Sequence, residues 1–185
     1  KDAARRMFDI SVEAVDLLKA RVAQPSIDCD LNWGQMHVAI KPRHETELKA
    51  WREELERDYG YTSPRWLGRD QVRAILATDR YIGGLLDPRS GHLHPLNYTL
   101  GLARAAEAAG VRIFEGSQVV RLDYGDTVTI TTDSGTVRAK HVALCCNAYV
   151  DEKISAKLRA RIMPVGTYIV ATEPLGAARM RALMR

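Results

Sequence analysis

One ordered stretch, Asp87 to Asn147, constrains the fold of this chain more than any other part of it. It opens on Asp87-Pro88-Arg89-Ser90-Gly91-His92-Leu93-His94-Pro95 and runs out through Val142-Ala143-Leu144-Cys145-Cys146-Asn147-Ala148-Tyr149. His94-Pro95 predicts a helix start, because proline fits the first helical turn, where its missing N–H would have no partner in any case. Leu96, Leu100, Ala103 and Ala106 then form one apolar face up to Gly110, with side chains small enough to pack closely on a sheet. Val111 to Phe114 reads as a short strand. Ser117 to Asp123, Thr127 to Thr132 and Thr136 to Lys140 read as a three-strand meander around two Gly- and Asp-containing turns, with one covered and one wet face. His141 to Cys146 differs: it is a near-continuous apolar run, the pattern of a parallel strand covered on both sides. This succession implies an α+β chain.

The residues before that stretch build a different layer. Ala4, Phe8, Val15, Leu18 and Val22 share a helical face over residues 1–24, and Pro25 ends the helix. Ile27 to Leu31 and Gln35 to Ile40 read as two strands about Asn32-Trp33-Gly34, a hairpin signal. A second amphipathic helix spans His44 to Tyr59, with Leu48, Trp51 and Leu55 on its stripe and Gly60 placed to stop it. A short helix from Gly68 to Ala77 and a strand from Tyr81 to Leu86 follow. The paired Gly83 and Gly84 imply either a bulge or a close approach to the backbone. After the stretch, Gly166 to Thr172 reads as one more strand.

Composition excludes several classes. The 185 residues carry 27 Lys and Arg against 23 Asp and Glu, a net charge of +4, scattered through helical stretches, so a mixed solvated surface is expected and no nucleic-acid partner. The three cysteines, 29, 145 and 146, lack metal-site spacing and fit reduced thiols in a cytoplasmic protein. No apolar run reaches the roughly 18 residues of a membrane span. The chain opens into a helical pattern without an initiator Met and stops in another, which predicts an internal fragment.

Three chemistries were weighed on the residues alone. His92-x-His94 beside Asp87 suggests a metal pair but lacks a third ligand, so no metal site is expected. Cys145 or Cys146 as a nucleophile would need a base and an electropositive setting; an inert buried thiol is the simpler reading. A serine hydrolase has no G-x-S-x-G elbow here. His37, isolated in a strand, reads as structural.

Taken together, Gly83-Gly84-Leu85-Leu86-Asp87 with Gly91-His92-Leu93-His94-Pro95, Gly101-Leu102-Ala103-Arg104-Ala105-Ala106 with Gly110-Val111, Glu115-Gly116-Ser117-Gln118-Val119, and Val142 to Tyr149 followed by Pro164 to Leu175 resemble one known pattern. It is that of the glycine and D-amino-acid oxidase family of FAD-dependent oxidoreductases, nearest to its gamma-glutamylputrescine oxidoreductase branch. The resemblance covers nearly the whole chain and rests on collinear order. It implies a parent enzyme that oxidises the C–N bond of a small amine or amino-acid substrate, passing hydride to FAD. It also implies that Val119, Cys145, Cys146 and Asn147 lie near the cofactor, largely through their backbones. Cys146 stands where the family commonly has Gly or Thr. His94, Tyr98 and Tyr168 are polar residues that would face substrate, and no catalytic acid or base is fixed.

The family's pyrophosphate turn, G-x-G-x-x-G at a helix N-terminus, does not occur in these 185 residues. FAD is therefore expected in the parent and not in this fragment, which by itself would be inactive. The expected organisation is a linking helix over 1–26, a partial substrate-domain mixed sheet from 27–86 and 160–185, and the second half of an FAD-binding domain over 87–159. Self-association through exposed strand edges is a further expectation. The alternative is a non-catalytic α+β ligand-binding or interaction module.

Overall fold

A computed structural model describes residues 2–184 of the chain; Lys1 and Arg185, the outer ends of the expected first and last helical patterns, lie outside the described residues. In chain order the elements are α1 (Asp2–Ala23), β1 (Asn32–Ala39), α2 (Pro42–Tyr59), β2 (Arg65–Gly68), α3 (Arg69–Ile75), β3 (Gly83–His92), α4 (Pro95–Ala108), β4 (Val119–Asp123), β5 (Val128–Thr132), β6 (Thr136–Ala139), α5 (Glu152–Arg159) and α6 (Gly176–Leu183). They fall into two compact units, Lys1–Val111 with Thr172–Arg185, and Arg112–Ala171. The fold is α+β, as the patterning predicts.

The first unit is built on a three-stranded antiparallel sheet in the order β1-β3-β2. Its centre is β3, and the paired glycines in that strand allow close approach. A β-carbon on Gly83 would overlap the Trp66 ring of β2, and one on Gly84 would sit 3.0 Å from the Met36 sulfur of β1. Leu85 is fully buried beside them, together with Val72 of α3 and Cys29. Helix α2 packs on β1 and β3. It ends where expected: Gly60 takes the left-handed conformation at φ 67°, its N–H donates to Glu56 O at 3.0 Å, and the Tyr61 N–H donates to Leu55 O at 3.0 Å. This double closure satisfies two terminal carbonyls and turns the chain sharply out of the helix. The end of α3 meets α6, where the Ala77 N–H donates to Leu183 O at 2.9 Å.

In the second unit, β4, β5 and β6 form the expected antiparallel meander. Helix α5 packs against β4.

Four expected strands are not formed. Ile27 to Leu31 is not a strand: Ser26 and Asp30 adopt positive φ (52° and 51°), so the segment cannot stay extended. It instead buries Ile27 against Gly101 of α4 and gives the Cys29 carbonyl to the His94 N–H at 2.7 Å. The partner of β1 is accordingly β3. Val111 to Phe114 and His141 to Cys146 have no ladder partner among the described residues, and Cys145 and Cys146 are exposed thiols, not buried ones. An apolar run becomes a strand only when neighbouring strands take up its N–H and C=O groups, and none lies beside these. For the same reason Gly166 to Thr172 is irregular, with Tyr168, Ile169 and Val170 each more than nine-tenths exposed.

The sheet centre gives a first prediction. Gly83→Ala must displace the Trp66 ring or the strand and should cost about 1–3 kcal/mol. Gly135→Ala, where an added β-carbon meets nothing within 4 Å, should stay within about 0.5 kcal/mol of the parent. Urea denaturation of both variants checks the contrast.

Candidate functional site

The most developed polar site grows from a break in the β1–β3 ladder. Register runs Gln35↔Asp87 and then Trp33↔Gly91, so Gly34 alone stands opposite Pro88, Arg89 and Ser90. Pro88 has no N–H for the ladder, which is why the strand leaves its partner there, and bulges of this kind re-aim side chains at the rim of a sheet. The bulged residues fold back on Asp87. The Arg89 N–H donates to Oδ1 at 3.0 Å and Ser90 Oγ donates to Oδ2 at 2.8 Å, an Asx-type turn. From the segment that leaves α2, Ser63 Oγ donates to Oδ1 at 2.5 Å and Tyr61 Oη donates to Oδ2 at 2.9 Å.

Each carboxylate oxygen thus accepts two hydrogen bonds, which fills the four acceptor positions of the group. Asp87 is therefore a hub that fixes two loops, and it has no lone pair left with which to take a substrate proton. Burial alone would raise its pKa. The hydrogen bonds from Ser63, Ser90, the Arg89 N–H and Tyr61 together outweigh that, and the carboxyl is held below its ordinary value of 3.8. The Tyr61 phenol is pushed up, first by burial and then by its bond to Asp87.

Beside the hub lies a cavity of about 250 Å³, bounded by α1, β1, α2 and β3. Phe8, Val12, Trp51, Leu55 and Leu85 supply apolar wall, and Gln35, His37, Tyr61, Asp87 and Arg89 supply polar groups. His37 stands edge-on to Trp51 with ring centres 5.2 Å apart. Arg89 Nη2 donates to both oxygens of Asp16 on α1, at 3.0 and 2.9 Å. Helix α1 is further fixed by Arg5, which donates to the Asp58 and Tyr59 carbonyls at the end of α2, and by Phe8 against Tyr59 and Tyr61.

The residues expected from sequence are placed elsewhere. His94 caps α4, its Nδ1 accepting from the Asn97 N–H at 3.3 Å, and Tyr98 lies half-buried one turn on. Val119 opens β4 opposite Thr132. Because the Thr132 N–H donates to Gly135 O at 2.8 Å and Gln118 O accepts from the Asp133 N–H at 3.3 Å, the Val119–Thr132 pair is of the open kind that alternates with hydrogen-bonded pairs. The Val119 N–H accordingly points off the unpaired edge of β4. Cys145, Cys146 and Asn147 follow one another into a single 3-10 turn, Asn147–Tyr149. Asn147 there adopts φ 51° and its Oδ1 accepts from the Ala148 N–H at 2.7 Å. Tyr168 stands free in solvent. Sequence reasoning missed Tyr61, Ser63, Arg89 and Ser90 as a group. The signal was present in Asp87-Pro88-Arg89-Ser90, an Asx-turn sequence inside a strand. Among the described residues no cluster of three metal-ligating side chains occurs, and no helix is long and apolar enough to cross a membrane.

The hub gives a pH-dependent prediction. A carboxyl whose folded pKa is depressed contributes stability that is present above its unfolded pKa and is lost as pH falls through the folded value. Asp87→Asn should destabilise the chain at neutral pH by about 1 kcal/mol, the low end for a hydrogen-bonded charge, because water reaches a half-exposed site. That difference from the parent should shrink below about pH 4 and vanish in stronger acid. Thermal unfolding across pH for both proteins measures it, and a difference that grows in acid would contradict the assignment.

Comparison with known proteins places this geometry in context. The chain is 36% identical over 182 residues to a probable oxidoreductase, OrdL, of Haemophilus influenzae, covering 96% of this chain and 42% of that protein. It is 34% identical over 183 residues to gamma-glutamylputrescine oxidoreductase of Escherichia coli, covering 99% of this chain and 43% of that protein. It thus spans less than half the length of these relatives. Among solved structures it matches glycine oxidase from Geobacillus kaustophilus with a TM-score of 0.67 at 19% identity, over 80% of this chain and 41% of that one. It also matches NikD, an amino acid oxidase of nikkomycin biosynthesis, with a TM-score of 0.57 at 23% identity, over 83% of this chain and 40% of that one. These two likenesses show a shared fold, that of a partial FAD-binding domain. Residues 1–184 match the FAD dependent oxidoreductase (DAO) family, and the chain belongs to that family.

Proposed function

We propose that this chain is part of an FAD-dependent oxidoreductase that oxidises the C–N bond of a small amine or amino-acid substrate. The observation that carries the reading is the alignment, 34% identical over 99% of this chain, with a protein named for oxidation of gamma-glutamylputrescine, itself an amine. FAD, when bound, accepts the hydride; orientation of the substrate falls to the protein.

The residues present fit part of such a cofactor. The edge of β4 carries an outward main-chain donor at Val119, suited to an adenine ring, whose nitrogens accept hydrogen bonds. In this reading Cys145, Cys146 and Asn147 approach the flavin by their backbones, and His94, Tyr98 and Tyr168 face substrate. Since His94 Nδ1 is engaged in the cap of α4, its Nε2 is the nitrogen left for a ligand. Nothing among the described residues fits the pyrophosphate: no helix N-terminus is entered through a G-x-G-x-x-G turn. That turn is assigned to a part of the protein outside these 185 residues. The domain organisation proposed is a linking helix (1–26), a substrate-domain layer (27–86 with 160–185) and FAD-domain material (87–159). The meeting of α3 with α6 inside one unit supports grouping the C-terminal segment with residues 27–86, while α4 clusters with that same unit.

The test is to express the protein with its upstream coding sequence and assay reduction of a dye acceptor with gamma-glutamyl amines, simple amines and amino acids. Substrate-dependent reduction with bound flavin is expected; a flavin-free protein inactive on every amine would leave the non-catalytic module instead. The 185-residue chain alone should purify without visible flavin absorbance. In the full-length protein Val119→Ala should leave FAD affinity within a few-fold, costing about 1 kcal/mol of local burial. Val119→Pro removes the donor and should weaken FAD by roughly 1 kcal/mol, or up to about 3 where the partner is left buried. FAD fluorescence on both variants, with circular dichroism as the folding control, measures the contrast, and equal affinities would withdraw the Val119 contact.

A further inference from the structure

We infer that the cavity beside Asp87 is a binding site for a small carboxylate with an aliphatic body, anchored by Arg89. It is separate from the Val119 edge and does not depend on the proposed oxidation.

Asp87 accepts four hydrogen bonds and Tyr61 donates its only proton to it, so the one carboxylate on the cavity wall is saturated. The donor side is not. Arg89 spends only Nη2, on Asp16, and its Nε and Nη1 have no hydrogen-bond partner among the described residues. The side chains of Gln35 and His37, neighbours on the same face of β1, likewise make no hydrogen bond to a described residue. A wall that keeps its carboxylate occupied and leaves two nitrogens of a cationic guanidinium open complements an anion, and the Gln35 amide and His37 imidazole beside it can each donate a further hydrogen bond. A ligand amine would find no lone pair on Asp87.

Facing those groups stand Phe8 and Val12 of α1 and Trp51 and Leu55 of α2, while Leu85 of β3 lies beside His37 on the same sheet face. They would bury an aliphatic body and leave the carboxylate as the one polar end. At about 250 Å³ the cavity equals the liquid volume of about eight waters, near the size of a short-chain acid and well below that of a cofactor. The Asp16 partner sits on α1 and is more than half exposed. A carboxylate entering the cavity can accept from Nε or from Nη1, the guanidinium nitrogens that Asp16 leaves open.

The test uses the full-length protein and isothermal titration with three probes of one carbon skeleton: isocaproate, isohexylamine and isohexanol. Binding is assigned to the cavity when Val12→Phe, which fills it, removes that binding. Isocaproate should bind there at least roughly tenfold tighter than the amine or the alcohol, the discrimination of one charge-assisted hydrogen bond. Arg89→Gln should weaken isocaproate by a similar factor and Arg89→Lys by less. Asp16→Asn separates a ligand anchor from a mere clamp on α1, because it breaks the same ion pair and leaves the guanidinium in place. It should keep or tighten isocaproate binding. Equal weakening by Asp16→Asn and Arg89→Gln, equal affinity for the three probes, or isocaproate binding that survives Val12→Phe would each overturn the site. Binding is read without turnover, so an inactive protein that binds isocaproate this way refutes the oxidation and leaves the cavity intact.

Discussion

The first unit depends on the saturation of one carboxylate. Asp87 sits at the point where Pro88 interrupts the β1–β3 ladder, and its four hydrogen bonds tie the bulged strand to the segment that leaves α2. Without an acceptor at that point, two hydroxyls, a phenol and a main-chain N–H would converge with nothing between them. The bond from Tyr61 explains why Gly60 has to terminate α2 where it does: only a left-handed residue there swings the chain back over the sheet within one residue. Helix α1 then adds to what the hub has fixed. Its Phe8 packs on Tyr61, and its Asp16 pairs with Arg89, the residue after Pro88.

A second constraint acts at the other end of the same strand. Gly83 and Gly84 have no side chains, and the space is filled by Trp66 from one neighbour and Met36 from the other. The centre of the sheet is therefore made by side chains from β1 and β2 lying across β3. One strand thus carries two opposite devices. Its first residues are packed closely by losing side chains, and Pro88 to Ser90 further along leave the ladder where an N–H is missing.

How much of this was legible in the sequence follows from what each feature requires. The helices other than α5, the meander and the end of α2 at Gly60 depend on residues near in sequence, and the pattern predicts them. The paired glycines pointed to either a bulge or a close approach, and the structure shows the second, made by Trp66 and Met36. The strand expected at Ile27 to Leu31 failed because alternation there is carried by Asp28 and Asp30, and Asp30 takes a left-handed turn that periodicity cannot see. His141 to Cys146 and Gly166 to Thr172 failed for a different reason. Their composition is that of strands, but a strand is a relation between two segments, and the pattern of one says nothing about whether a neighbour is there to pair with it. The Asp87 hub escaped because its donors lie in two separate local patterns, Ser90 in its own strand and Tyr61 and Ser63 up to 26 residues away in the segment after α2.

The same distinction bears on where function can reside in this chain. The site residues expected from family resemblance contribute mainly backbone: an outward N–H on the edge of β4, and a turn at Asn147 whose side chain is spent on its neighbour's N–H. Backbone contacts tolerate side-chain variation, so on the proposed reading Cys146 could stand where the family commonly has Gly or Thr. The cavity beside Asp87 works the other way, through side-chain donors whose identities matter one by one. Replacing Arg89 by Lys keeps the charge but loses the planar edge that a carboxylate needs. A substitution in β4 should therefore be judged by its effect on the strand's main-chain geometry, and one at Gln35, His37 or Arg89 by the hydrogen bonds the new side chain can still donate.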